Sequence, residues 1–141
     1  MGFLYWAAGK PDNAARMFRA LAHDAQSRLR REPDDLDMRG RLALAQSMLG
    51  EHAEAIATIE LARTRQPEVH DPVNGPYVSF LRSVILVRAG RTADGYADAA
   101  RLVHVPFGAP FDIFNDGTGE MLLLLKGDPK YSALINNPPR L

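Results

Sequence analysis

Three glycines divide most of this chain of 141 residues into units with a shared pattern. Gly9, Gly50 and Gly90 stand about 40 residues apart. Small residues recur seven positions before each glycine and five positions after it; they are Gly2, Ala43 and Ser83 before, and Ala14, Ala55 and Gly95 after. Because glycine is the usual residue at the left-handed end of a helix, this spacing predicts a repeated helix–turn–helix unit. The small residues would let the two helices of each unit pack closely.

The middle unit, about residues 33–67, carries the pattern most clearly. Pro33 opens it with a turn, and a helix follows from about Leu36 to Gly50. A second helix is expected from about Glu51 to Arg65, before Pro67. Two helices joined by so short a turn predict an antiparallel pair.

The flanking units, about residues 1–32 and 76–104, are less regular. The first has too few residues before Gly9 for a full helix, and its second helix is expected from Pro11 to about Arg31. The third follows a predicted loop at residues 70–76, and its first helix, about Tyr77 to Ala89, is apolar nearly all round. A helix of that composition is typical of a buried position. A second helix is expected from about Thr92 to His104.

Beyond the third unit we expect a loop at residues 105–118 and a short pair of capping helices at residues 119–136. A capping pair would cover the last apolar face of the helical stack. The predicted fold is therefore all-α, with one domain over residues 1–141.

The middle unit resembles the tetratricopeptide repeat (TPR), in which paired helices stack into an α-solenoid. The matching positions are Leu42, Ala43, Gly50, Ala55, Ile56, Ala62 and Pro67. Arg39, Gln46 and His52 depart from the residue types that the family favours, and in the third unit Arg82 would occupy an apolar site. The tail sequence Asp128-Pro129-Lys130-Tyr131-Ser132-Ala133-Leu134 is similar to the closing segment of TPR regions in some bacterial multidomain regulators.

The resemblance implies a ligand groove lined by the first helices of the pairs. The implied groove positions are Asp37, Gly40, Leu44, Ser47, Tyr77, Phe80, Val84 and Val87. The Lys, Asn and Arg residues with which some TPR proteins clamp a terminal carboxylate are not at these positions, so an apolar peptide or partner helix is the expected ligand. In the alternative interpretation, Phe80, Val84 and Val87 belong to the core.

Large apolar residues crowd the N-terminal segment, where Phe3, Leu4 and Trp6 fall within six residues of Met1. Six residues do not form a stable helix alone. Two interpretations follow: either these side chains pack on the long helix from Pro11, or they form the interface of a homodimer.

Composition and motifs argue for a binding protein without a cofactor. Lys and Arg balance Asp and Glu, so the formal net charge is zero and no field favours nucleic acid or an anionic membrane. The chain has no cysteine. A partial calcium-loop pattern at Asp112, Asp116, Gly117 and Glu120 has Phe114 and Leu123 where oxygen ligands are needed, so no metal is expected.

No catalytic set and no apolar run long enough to span a membrane are found, so we expect a cytoplasmic protein and not an enzyme. The predicted function is that of a protein-interaction module that binds a peptide or partner helix. The alternative is a homo-oligomerisation domain of a larger bacterial regulatory protein.

Overall fold

The computed structural model describes residues 2–72 and 74–102, and every regular element in these two ranges is an α-helix. The six helices are α1 (Gly2–Ala7), α2 (Pro11–Arg31), α3 (Leu36–Met48), α4 (His52–Arg65), α5 (Asn74–Arg88) and α6 (Thr92–Leu102). The all-α class is confirmed for this part of the chain. The predicted loop at 105–118, the capping helices at 119–136 and the calcium-like pattern from Asp112 to Glu120 lie outside the described residues.

The three glycines form three turns of the same geometry. Gly9, Gly50 and Gly90 have φ angles of 67°, 83° and 81°, in the left-handed region. The residue after each glycine donates its backbone N–H to the carbonyl five residues earlier; the pairs are Lys10 to Tyr5, Glu51 to Gln46 and Arg91 to Leu86, each at 2.9 Å. This bond closes a Schellman cap. The same turn therefore joins α1 to α2, α3 to α4 and α5 to α6, and the left-handed cap predicted at Gly50 is confirmed.

The predicted bounds of α2, α3 and α4 agree with the structure to within two residues. The predicted end of α6 at His104 lies outside the described residues, and the bounds of α5 differ from the prediction. Helix α5 begins at Asn74, inside the segment at residues 70–76 for which the sequence predicts a loop. Asp71 accounts for the difference, because its Oδ1 accepts the backbone N–H of Asn74 at 2.8 Å and its carbonyl accepts that of Gly75 at 2.9 Å. Pro76 then falls in the first turn of the helix, where the missing N–H would have no intrahelical partner.

Each helix packs against the next one along the chain, and α3 also packs against α5. Two apolar clusters result, and α3 contributes to both. Leu42 and Ala45 join the cluster of α1 and α2 around Phe18, whereas Ala43 joins the cluster of α4 and α5 around Ile59. Helix α3 therefore holds the first helices and the last helices of the described part together.

The small residues of the sequence pattern lie where paired helices approach each other. Ala43 and Ala55 are fully buried. A β-carbon added to Gly95 on α6 would stand 2.7 Å from the carbonyl oxygen of Ser83 on α5, and one added to Gly2 would stand 2.9 Å from the Phe18 ring. Larger side chains at these positions would push the helices of a pair apart.

Arg82 is placed at a polar junction of three helices and not in an apolar contact. Its guanidinium donates to Glu60 of α4 and to Asp98 of α6. The side chain is 15% exposed, so the two carboxylates compensate a largely buried charge. This pairing explains how an arginine is accommodated at a position where the resemblance to the TPR implies an apolar residue.

The segment between α4 and α5 is attached to α6 through Glu68. Both carboxylate oxygens of Glu68 accept from Arg101, each at 2.7 Å, and Glu68 also accepts from the Ser79 hydroxyl. The Arg101 guanidinium, followed by the Ser79 hydroxyl, lowers the pKa of Glu68 below its ordinary value, against the opposing effect of burial. Helices α5 and α6 are thus both bonded to the segment that follows α4.

Candidate functional site

A groove of about 680 Å³ lies along α3 and α5. Helices α1 and α2 close one side of it with Phe3 and Leu21. The further apolar lining comes from Leu36, Gly40 and Leu44 of α3 and from Val78 and Leu81 of α5. The polar lining consists of Asp34, Asp37, Arg41, Gln66, Asn74 and Tyr77. Its volume is in the range of small-ligand sites and accommodates several side chains of a bound segment.

Gly40 determines how closely the two walls of the groove approach. A β-carbon built at Gly40 would stand 2.9 Å from Leu81 Cδ1. Because Gly40 has no side chain, Leu81 fills this space and α3 lies directly against α5. Gly40, Val78 and Leu81 are buried, whereas the charged lining residues Asp34, Asp37 and Arg41 are exposed, so the apolar residues form the floor and the charged residues the edge.

Four of the eight predicted groove residues line this groove, namely Asp37, Gly40, Leu44 and Tyr77. Ser47, Phe80 and Val84 are not among the lining residues, and each is at most 2% exposed. Val87 is half-buried and packs towards α6, with its Cγ2 2.7 Å from the position of a β-carbon on Gly95.

The groove face of α5 runs through Asn74, Tyr77, Val78 and Leu81. The predicted register instead continued from Tyr77 through Phe80. Phe80 and Leu81 follow Tyr77 by three and four residues, so both are at helical spacing from it. Because both residues are apolar, the sequence does not indicate which of the two lies on the groove face. Phe3 and Leu21 of the neighbouring helices were not predicted either, because their approach to α3 is a tertiary contact.

Each charged residue of the groove lining is paired. Arg41 Nε lies 2.8 Å from Asp37 Oδ2, and both side chains are more than half exposed. Asp34 is paired with Arg65, which is not part of the lining. Burial, followed by the nearby Asp37 carboxylate, raises the pKa of the Tyr77 hydroxyl. The lining thus holds two carboxylates and one guanidinium.

The N-terminal aromatic segment is divided between the core and the surface. Phe3 is buried and meets the Phe18 ring edge-on, with the ring centroids 5.1 Å apart. Trp6 is half-buried, and the guanidinium carbon of Arg88 lies 5.9 Å from the centroid of its ring. Leu4 is 60% exposed. Of the three residues predicted for an oligomer interface, Leu4 is the most exposed.

Neither a metal site nor a membrane-spanning helix is found in residues 2–72 and 74–102. No three acidic or histidine side chains there come close enough to hold an ion, and no helix of these ranges is long and apolar enough to cross a bilayer. The groove offers an apolar floor with hydrogen-bonding and charged groups at its edges. Such an arrangement can bind an amphipathic segment through its apolar side chains and orient it through the edge.

In comparisons with known proteins, no family model, no curated protein and no solved structure matches this chain.

Proposed function

We propose that this chain is a TPR-like protein-interaction module that binds a peptide or a partner helix in the groove between α3 and α5. The observation that carries the proposal is the apolar floor around Gly40 and Leu81 with a charged edge above it. The three equivalent glycine turns support a repeat architecture, in which the first helix of each pair faces the ligand. The role proposed is binding, without catalysis.

The resemblance of the tail to bacterial multidomain regulators suggests the setting of this module. We place it in the cytoplasm, as the part of such a regulator that receives a protein partner.

A displayed library of random dodecapeptides, selected against the full chain, tests the proposal. Enriched peptides should bind the wild type and lose at least tenfold in affinity with Leu44→Gln, since Leu44 lines the groove. Leu61→Gln is the matched control, because Leu61 is an exposed leucine of α4 outside the lining and its replacement should leave binding unchanged. Equal effects of the two substitutions, with both proteins folded, would refute groove binding.

A second candidate function is homo-oligomerisation through α1, and the exposure of Leu4 favours it. Met17 on α2 is a further large apolar side chain that is 36% exposed. A two-fold dimer would bury both copies of such a surface at once. Light scattering should then report about twice 15.6 kDa, and Leu4→Ala with Trp6→Ala should halve that mass. A wild type of 15.6 kDa at micromolar concentration would reject this candidate.

A further inference from the structure

Asn74 and Gly75 form the one asparagine–glycine pair of the sequence, and they stand at the start of α5. Such a pair is chemically labile, because glycine has no side chain to hinder the attack of its backbone nitrogen on the asparagine side-chain amide. Asn74 is exposed and lines the groove, whereas Gly75 is buried. The labile amide therefore lies in the first turn of a helix that forms one wall of the groove.

Packing explains why position 75 is a glycine. A β-carbon added there would stand 2.7 Å from the Glu68 Cα and 3.0 Å from the Glu68 backbone nitrogen, and neither atom belongs to a flexible side chain. A larger residue, which would slow the attack on Asn74, does not fit without moving the segment after α4 away from α5. The close contact therefore requires the residue that makes Asn74 reactive.

The folded chain holds the two reacting groups apart through Asp71. The backbone N–H of Gly75 donates to the Asp71 carbonyl at 2.9 Å, so this nitrogen is engaged. The Asn74 side-chain amide donates to Asp71 Oδ2 at 3.1 Å, and the Asn74 backbone N–H donates to Oδ1 at 2.8 Å. Ring closure between Gly75 and the Asn74 side chain requires the first bond to break and Asn74 to leave its helical conformation. The reaction is therefore blocked while the first turn of α5 is intact.

The first turn of a helix opens more readily than its middle, because fewer contacts hold it. We propose that Asn74 is a site of spontaneous deamidation whose rate is set by the opening of the first turn of α5, and that the Asp71 side chain holds this turn closed. The inference concerns the chain itself and does not depend on what the groove binds.

The reaction needs water alone as its co-reactant. In the opened turn, the Gly75 backbone nitrogen loses its proton and bonds to Asn74 Cγ, and the Cγ–Nδ2 bond breaks. The leaving nitrogen takes up a proton and departs as ammonia, and a cyclic succinimide remains. Water then opens the ring at either of its carbonyls. One opening gives aspartate, and the other gives isoaspartate, in which the main chain runs through the former side chain.

Both products change the contacts at the start of α5. Aspartate replaces a donor to Asp71 Oδ2 with a second carboxylate, so an attraction becomes a repulsion. Isoaspartate lengthens the main chain between positions 74 and 75, so Gly75 cannot keep both its bond to Asp71 and its contact with Glu68. Each product also adds a negative charge to the lining of the groove.

Peptide mapping by mass spectrometry follows the reaction directly, because both products differ in mass from asparagine and separate from each other by chromatography. The full chain is incubated in mildly alkaline buffer, with and without guanidinium chloride at a denaturing concentration. Deamidation of Asn74 should be at least about tenfold slower in the folded chain than in the unfolded one. Asn13, which precedes Ala14, is the internal reference and should react far more slowly than Asn74 in the unfolded chain.

Variants of Asp71 test its role. Asp71→Ala removes both side-chain bonds to Asn74 and should raise the rate in the folded chain about fivefold, the effect expected from the loss of a helix cap. Asp71→Ser keeps an acceptor for the Asn74 N–H, so its rate should lie between those of alanine and wild type. Asp24→Ala is the matched control, because Asp24 is exposed on α2, and its rate should equal that of the wild type. Circular dichroism during the incubation checks that each variant is folded, and Asp71→Ser carries the comparison if Asp71→Ala unfolds.

Three results would overturn the inference. An unreactive Asn74 in the unfolded chain would remove the site. Equal rates in the folded and the unfolded chain would show that the first turn of α5 does not control the reaction. Folded Asp71 variants with the wild-type rate would show that this side chain does not hold the turn closed. None of these measurements involves a ligand, so they leave the test of groove binding independent.

Discussion

Gly40 of α3 lies directly against Leu81 of α5, with 2.9 Å between Leu81 Cδ1 and the place where a β-carbon of residue 40 would stand. Glycine in the middle of a helix costs about 0.5–1 kcal/mol relative to alanine. In this chain, glycine at position 40 also permits the close contact with Leu81 that forms the groove floor. The side chain at position 40 therefore affects both the stability of α3 and the space available to a ligand.

Gly40→Ala and Gly40→Leu should have different effects. Alanine has a higher helix propensity than glycine, but its β-carbon would displace the end of the flexible Leu81 side chain. Because these two effects oppose each other, the free energy of unfolding should change by less than about 1 kcal/mol. Leucine should destabilise the fold by about 1–3 kcal/mol and fill the groove. Urea unfolding measures the change in stability of each variant, and titration with a peptide measures how far the side chain at position 40 blocks the groove. A leucine variant that binds peptides as well as the wild type would show that the ligand lies elsewhere.

The three glycine turns allow the same substitution to be tested at three equivalent positions. Gly9→Ala, Gly50→Ala and Gly90→Ala should each cost about 1–2 kcal/mol, because an L side chain is strained at positive φ. No atom lies within 4 Å of the added β-carbon at any of the three, so the cost is that of the backbone alone. Asparagine at position 50 should cost less than alanine, since it tolerates this conformation better. Thermal unfolding that is unchanged in all three alanine variants would contradict the observed turn geometry.

Ala55 is expected to tolerate no enlargement. It is fully buried in the apolar cluster of α3, α4 and α5, so Ala55→Leu should lower the free energy of unfolding by about 1–3 kcal/mol. Ala57→Leu on the same helix is the matched control, since Ala57 is exposed and the change there should stay within about 0.5 kcal/mol. Chemical denaturation of both variants checks this. If Ala55→Leu were as stable as Ala57→Leu, Ala55 would not lie in a close contact between helices.

Acid should weaken the attachment of the α4–α5 segment through Glu68. Its pKa is lowered in the folded protein, first by Arg101, so the folded state binds this proton less readily than the unfolded state. The stabilisation is therefore fully present above the unfolded pKa of about 4.3 and is lost as the pH falls below it. The difference in unfolding free energy between wild type and Glu68→Gln should shrink between pH 7 and pH 3.

Glu54→Gln, on an exposed position of α4, is the reference variant for this pH series. Urea unfolding at each pH provides the measurement. A difference between wild type and Glu68→Gln that stays constant down to pH 3 would mean that the Glu68–Arg101 pair does not contribute to acid sensitivity.

The local features of the fold could be predicted from the sequence, and the groove only in part. Gly50 and Pro11 mark helix ends through backbone geometry alone, which does not depend on distant residues. The composition of residues 70–76 predicts a loop and a start of α5 at Tyr77, which is too late, because proline is compatible with a first helical turn. Helix α5 is apolar on both the face that contains Leu81 and the face that contains Val84, so its composition does not indicate which of them lines the groove. The Glu68–Arg101 pair joins residues 33 positions apart, and no sequence pattern indicates such a contact.

The most direct test of the central claim is a ¹H–¹⁵N NMR titration of the full chain with its tightest dodecapeptide. If the peptide occupies the groove between α3 and α5, the largest shift changes should fall on the amides of Gly40, Leu44 and Tyr77 and of the residues next to them. Amides on the outer face of α4, such as that of Leu61, should stay unchanged. Saturable binding with its largest shifts around Leu4, and none at Gly40 or Tyr77, would contradict the assignment of this groove as the binding site.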